Sequence, residues 1–237
     1  MIDNSYNALA DVYQSTDIKP DKKYSILPTV IMLAGDLNKK TVLDLGCGSG
    51  FFTRHFAVTA GKVIGIDNSN EQIERAKQTP TRNTEYILAD VFKDDLPTAD
   101  VVSAPFILGY CADAVELKSF FTKVYRSLKS GGRFLGVIDV PMGEDSKKYG
   151  ATKILHGEKD GSRIEIILSD GSTTICTLWA TYFSASTIQS LLAQTGFQNI
   201  TWHKPIVSGA GLKEMPHDYW NGYIERCELG YFTAAKK

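Results

Sequence analysis

The segment TVLDLGCGSGF at 41–51 places Gly46, Gly48 and Gly50 at alternate positions, two residues after Asp44. Glycines so closely spaced after an apolar run let backbone approach a ligand that side chains would hold away. Two phosphate-binding patterns fail on spacing. A Walker loop ends in Gly-Lys, and no lysine follows here; a dinucleotide G-x-G-x-x-G needs glycine at position 51, which is Phe51. Charge argues the same way. A pyrophosphate on a helix N-terminus gains from the helix dipole, whereas a neighbouring carboxylate repels it. A cationic ligand reverses that sign, so Asp44 suits a positive partner.

Two more acids end the next apolar runs: Asp67 closes KVIGID and Asp90 closes EYILAD. A carboxylate at 67 can accept both hydroxyls of a ribose, as the acid of dinucleotide folds does. One at 90 can accept from an adenine amino group. Any one of them alone reads as a turn or helix cap. Three in register after successive strands point to a cationic adenosine compound, and S-adenosylmethionine, with its sulfonium and ammonium, fits that description. Cys47, between two glycines, reads as small apolar filler of the same loop rather than as a nucleophile.

These residues need a sheet to hold them. TVLDL, KVIGID (62–67), EYILAD (85–90), DVVSAPF (100–106) and RFLGVIDV (133–140) read as strands. Helical stretches alternate with them: about 22–36 with Pro28 as a kink or restart, GFFTRHFAV, NSNEQIERAKQ with a Ser69–Gln72 capping box, and 114–129 with Gly131 as its C-cap. This alternation predicts an α/β fold with a mainly parallel sheet and helices on both faces. RIEIILSDGSTTICTLW reads as a β-hairpin around Asp170-Gly171. A helix carrying Ile188, Leu191 and Leu192, stopped by Gly196, precedes the strands NITWHK and LGYFTAA. One domain is expected: a helical lid over 1–38 with Tyr6 and Tyr13 on one face, a cofactor-binding core over 39–140, a β-hairpin insertion over 141–183, and the end of the sheet over 184–237.

VLDLGCGSG, VIGIDNS and ILADV resemble the first three motifs of class I S-adenosylmethionine-dependent methyltransferases, a likeness covering about 41–140. SYNALADVYQ, GGRFLGVIDVP, FSASTIQSLLAQTGFQNITWHKPIVSGAGL and DYWNGYI are similar to the toxoflavin-synthase-like small-molecule methyltransferases. The resemblance implies a Rossmann-like sheet of seven strands. It also implies residue roles: Gly46, Cys47 and Gly48 beside the methionine portion with Asp44 behind them, and Asp67 with Asn68 on the ribose. Asp90 and the Val91 amide would meet the adenine, Ala104 would lie beside the methionine moiety, and Tyr13 would close over it. Gly109 stands where such proteins often carry asparagine, which removes a side-chain contact there.

The remaining composition bounds the acceptor. Lys+Arg number 26 against 27 Asp+Glu in 237 residues, so no basic excess advertises a nucleic-acid surface. SAPF at 103–106 departs from the [DNS]-P-P-[YF] motif of amino-methylating enzymes, with Ala104 in place of proline. The four cysteines show no metal spacing, no run is long enough to span a bilayer, and MIDNSYNALADVYQ is not a signal segment. The expectation is a cytoplasmic enzyme, without metal, membrane or nucleic-acid partner, methylating nitrogen or oxygen of a small molecule. Asp139 and His203 are the candidate catalytic residues, and Tyr24 and Trp220 the candidate acceptor contacts. Three rivals stand beside it: a non-catalytic S-adenosylmethionine-binding protein, a nicotinamide oxidoreductase, and a methyltransferase acting on protein or nucleic acid.

Overall fold

The structure, a computed structural model, describes residues 19–142, 147–169 and 173–237. Tyr6, Tyr13 and the first half of the expected lid, and the Asp170-Gly171 turn, lie outside the described residues.

Seven strands form the main sheet: β1 (Thr41–Leu45), β2 (Lys62–Asp67), β3 (Thr84–Leu88), β4 (Ala99–Pro105), β5 (Leu128–Asp139), β9 (Gln198–His203) and β10 (Leu229–Ala235). Their order is β3-β2-β1-β4-β5-β10-β9, and only β10 runs antiparallel to its neighbours. The order reverses between β1 and β4. Ligands of open α/β sheets bind beyond the carboxyl ends of the strands at such a reversal.

Side-chain alternation along each strand feeds two cores. Leu43, Leu45, Val102 and Phe134 face α4 (Ala114–Ser127) and α5 (Ala185–Thr195). Val42, Val63, Leu135 and Val137 face α1 (Leu27–Ala34) and α2 (Phe51–Phe56). Helices on both faces are as expected, and so is the capping box: the Ser69 hydroxyl accepts from the Gln72 amide at the start of α3 (Asn70–Gln78).

The expected helix at 22–36 divides at Pro28. A π-helical turn (Lys22–Ile26) leads into α1, which starts with that proline at its first turn, where the missing N–H costs nothing. Val30 is fully buried and Leu33 nearly so. The described half of the lid is therefore a core layer.

Two other expectations need correction. Gly131 is not the cap of α4; the helix ends at Ser127, Leu128 is already extended, and Gly131 turns within early β5 at φ 75°. The insertion is a three-stranded antiparallel sheet, because β6 (Ala151–His156) joins the expected pair β7 (Arg163–Ser169) and β8 (Thr174–Thr181). The β6 signal is inverted in the sequence. Lys153 points inward and is 9% exposed, while Ile154 is 41% exposed, so an apolar-in reading assigns the wrong face.

Among the described residues, no helix is long and apolar enough to cross a membrane. No cluster of three His, Cys, Asp or Glu residues among them could hold a metal ion.

Candidate active site

The glycine loop leaves β1 at the sheet's reversal point. Gly46, Gly48 and Gly50 take φ of 66°, 53° and 85°, a left-handed region that L side chains rarely adopt. Gly46 and Cys47 donate their amides to the Ile66 carbonyl at 2.8 and 3.0 Å, which ties the loop to β2. Cys47 is packing. A Cβ at Gly65 would stand 2.9 Å from its sulfur, and burial pushes its thiol well above the ordinary range. A side chain on Gly48 would meet only the end of Gln72, at 3.8 Å, so open space lies over that position.

Asp67 holds the loop from the next strand. One carboxylate oxygen accepts from the Gly48 amide at 2.8 Å and the other from the Ser69 amide at 2.9 Å. Each oxygen keeps a further lone pair for a ligand hydroxyl. Burial raises its pKa, with the Ser69 and Gly48 amides acting against that rise. Asn68 beside it is exposed.

Asp44 lies beneath the loop, 1% exposed, and accepts from the Thr53 hydroxyl of α2 at 2.6 Å. Its other oxygen is buried without a hydrogen-bond partner. Burial pushes the carboxyl up to about 7, against the lowering effect of Thr53. Sequence reasoning missed Thr53; its signal is a β-branched hydroxyl one turn into the helix that the loop opens.

Asp90 accepts from the Phe92 amide at 3.0 Å and from Lys93 Nζ at 2.7 Å. Burial acts to raise its pKa, but Lys93 and the amide outweigh it and hold the carboxyl below the usual range. Val91 is buried in the α4-side core, and Ala104, fully buried, pairs with Gly136 in β5. Asp44 thus lies at the end of β1 and Asp67 at the end of β2, both against the glycine loop and its helix, while Asp90 follows β3 and turns the chain there.

The methyltransferase-domain family model matches residues 42–132, the segment that carries these acids and this loop. The chain carries a class I S-adenosylmethionine-dependent methyltransferase domain. A putative S-adenosylmethionine-dependent methyltransferase from Listeria monocytogenes superposes with a TM-score of 0.64 at 26% identity, covering 88% of this chain and 95% of that one. Malonyl-[acyl-carrier protein] O-methyltransferase from Hamiltonella defensa is 30% identical over 110 residues, 45% of this chain and 40% of that protein. Sterol 24-C-methyltransferase ERG6A from Gibberella zeae is 30% identical over 141 residues, 57% of this chain and 35% of that protein. The chain spans less than half the length of either curated relative.

Beyond the glycine loop, the methyltransferase domain closes over a small cavity of about 20 Å³ at the ends of β4 and β5. Phe106, Gly109, Val137, Asp139 and Thr181 are among the residues lining it. Phe106 leaves β4 at φ 61°, strained backbone of the kind that gathers at ligand sites. Gly109 is explained by close packing: a Cβ there would lie 2.8 Å from the Ala180 Cβ on β8. Gly109→Ala is expected to destabilise the domain by about 1–3 kcal/mol through overpacking, read as a lower urea midpoint at unchanged slope.

Of the four residues proposed for catalysis and acceptor contact, Asp139 alone lines the cavity, Tyr24 and Trp220 meet at Gly211, and His203 lies apart. Asp139 faces the cavity, but its carboxylate is bound to Lys153 Nζ at 2.8 Å, and that ammonium also donates to the Glu228 carbonyl. His203 lies on the edge strand, two strands beyond β5, and shares a 2.9 Å hydrogen bond with the Thr233 hydroxyl. Burial and then Arg133 lower its pKa. Tyr24 packs on Gly211 and binds Glu214 through its hydroxyl. Trp220 donates to the Gly211 carbonyl at 2.9 Å and stacks near Tyr149. His203 and Tyr24 are thus engaged with other residues of the protein.

Proposed function

We propose that this domain transfers the methyl group of S-adenosylmethionine to a nitrogen or oxygen of a small molecule. The observation that carries the cofactor is the orphaned Asp44 oxygen beneath a glycine loop held by Asp67. A buried carboxylate oxygen without a donor fits a cationic ligand group. In this reading Asp44 supports the ammonium side, Asp67 and Asn68 hold the ribose, Asp90 and Val91 meet the adenine, and Ala104 backs the methionine portion.

When bound, the cofactor supplies a methyl group on a cationic sulfur; the acceptor lone pair forms the new bond to carbon while the carbon–sulfur pair stays with sulfur. The protein's part is alignment and exclusion of water. Asp139, engaged by Lys153, orients the acceptor rather than removing its proton. An acceptor nitrogen that is neutral at working pH needs no base in the attacking step, and its proton leaves to solvent afterwards.

A small acceptor, rather than nucleic acid, is supported by a formal net charge of −1, which offers no basic excess for a phosphate backbone. The activities that the relatives' names give, on a malonyl group of acyl-carrier protein and on a sterol, differ too much to pass a substrate across. Incubation with methyl-labelled S-adenosylmethionine and a whole-cell extract tests the reading. Label is expected in the low-molecular-weight fraction. Label confined to protein or RNA overturns the small-molecule acceptor, and binding of S-adenosylmethionine without any transfer overturns the enzyme.

The loop gives a further expected result. Gly48→Val should weaken S-adenosylhomocysteine binding roughly ten- to hundredfold, since the side chain enters the open space and forces φ 53° on a branched residue. Calorimetric titration of a variant with native circular dichroism checks it. Undiminished affinity would place the ligand elsewhere.

A further inference from the structure

Lys153 is a cation in an apolar row. On the inner face of the insertion it pairs with Ile166 of β7, and Ile166 pairs with Leu178 of β8. Both of those neighbours are buried and belong to the insertion's own small core. The ammonium leaves that row for the main sheet. It meets Asp139 Oδ1 at the end of β5 at 2.8 Å and donates to the Glu228 carbonyl at 2.7 Å. The same carbonyl accepts from the Val140 amide at 2.9 Å. One ammonium thus joins β6 to the end of β5 and to the residue before β10.

Stability alone gives no reason for this arrangement. The Lys153 and Asp139 side chains are 6% and 12% exposed, so both charges have given up most of their water. Apolar side chains of similar volume often match or better the stability of such a buried pair. An apolar residue at 153 would simply continue the row of Ile166 and Leu178. What the pair does provide is a carboxylate at the cavity with one oxygen settled. Asp139 lines the cavity, and Lys153 is not among its lining residues, so Lys153 can reach an acceptor only through Asp139. Among the described residues the Asp139 carboxylate has no other hydrogen bond or ion pair, which leaves Oδ2 available. A carboxylate oxygen accepts and does not donate, so the group it can hold is an N–H or O–H.

We propose that Lys153 is a positioning residue for methyl transfer. It holds Oδ1 of Asp139 and leaves Oδ2 to accept an N–H or O–H of the acceptor. The acceptor that fits carries such a donor at, or next to, the atom that receives the methyl group. The proposal rests on the reading of the domain as a small-molecule methyltransferase in which Asp139 orients the acceptor, and it adds the residue that fixes that carboxylate. Because Lys153 belongs to β6, the insertion then sets the geometry of the acceptor end of the site.

The test uses the full chain, methyl-labelled S-adenosylmethionine, and the low-molecular-weight fraction of a whole-cell extract as the acceptor source. Lys153→Met and Asp139→Asn are each expected to slow labelling roughly ten- to hundredfold, the scale of loss when an orienting group is misplaced. Lys153→Arg keeps a cation beside Asp139 and should lose less. The double variant Asp139→Asn/Lys153→Met separates positioning from packing. Lys153→Met alone leaves a buried carboxylate unpaired, so its urea midpoint should fall; the double variant removes that charge, and its midpoint should recover. Labelling should not recover with it, and should be no slower than in the slower single variant. S-adenosylhomocysteine affinity, read by calorimetry, should stay within about twofold throughout. Should Lys153→Met fail to fold, Lys153→Gln, uncharged but still able to donate to the Glu228 carbonyl, reads the same loss. Wild-type labelling in a folded, uncharged Lys153 variant, labelling that returns with stability in the double variant, or losses that multiply overturn the proposal. Failure of the parent reading shows in the wild type instead, as no label in any small molecule, and takes this proposal with it.

Discussion

Asp67→Ala is expected to weaken S-adenosylhomocysteine binding by roughly 10²- to 10⁴-fold. The carboxylate stands at the end of β2 with one oxygen on the Gly48 amide and one on the Ser69 amide. Two ribose hydroxyls donating to its remaining lone pairs would each contribute about 1.5–3 kcal/mol, as hydrogen bonds to a charged group do. Together they give about 3–6 kcal/mol, the stated range. The alanine variant also releases the glycine loop from β2, so loss of preorganisation adds to loss of contact. Asp67→Asn separates the two: its amide oxygen can still receive the Gly48 amide, and its affinity should fall between wild type and alanine. Calorimetric titration measures all three proteins. An alanine variant binding within threefold of wild type would remove the ribose from this residue.

Asp44→Asn is expected to make the ligand-free protein more stable at pH 8 while weakening S-adenosylmethionine binding. Burial raises the Asp44 carboxyl from 3.8 to about 7. The unfolded chain releases that proton near pH 4 and the folded chain only near pH 7. Between those values the folded state holds more protons, so rising pH lowers stability. About three pKa units correspond to roughly 4 kcal/mol above pH 7. Asparagine carries no charge at any pH and can still accept from Thr53. Its advantage should therefore be on the order of 4 kcal/mol at pH 8 and vanish toward pH 4. Urea unfolding across that range checks the trend, and a difference that does not change with pH would sink it. The wild type accepts the buried charge for function: a cationic ligand over the orphaned oxygen favours the ionised form. S-adenosylmethionine binding near pH 6 should then release a proton, visible as a binding heat that depends on the buffer's ionisation enthalpy.

The sequence by itself determined the sheet and the cofactor end of the site. Both are written in local patterns: apolar runs of strand length, a Ser69 helix cap, glycines that only a left-handed loop requires, and acids at or near the strand ends. Because parallel strands of one sheet end side by side, Asp44 and Asp67 come together at the glycine loop. The strand order and the family match agree with the sheet read in this way.

The acceptor end was decided by tertiary structure alone. Asp139 reads as an available carboxylate until Lys153 reaches it from β6, a strand hidden in the sequence because its lysine faces inward and Ile154 outward. His203 reads as a base until strand order places it on the edge of the sheet beside Thr233. Tyr24 draws the eye as an aromatic, yet the π-helical turn sends it toward Gly211, where it is buried. Each of these contacts joins residues far apart in the chain, so it exists only once the chain has folded and water has been excluded.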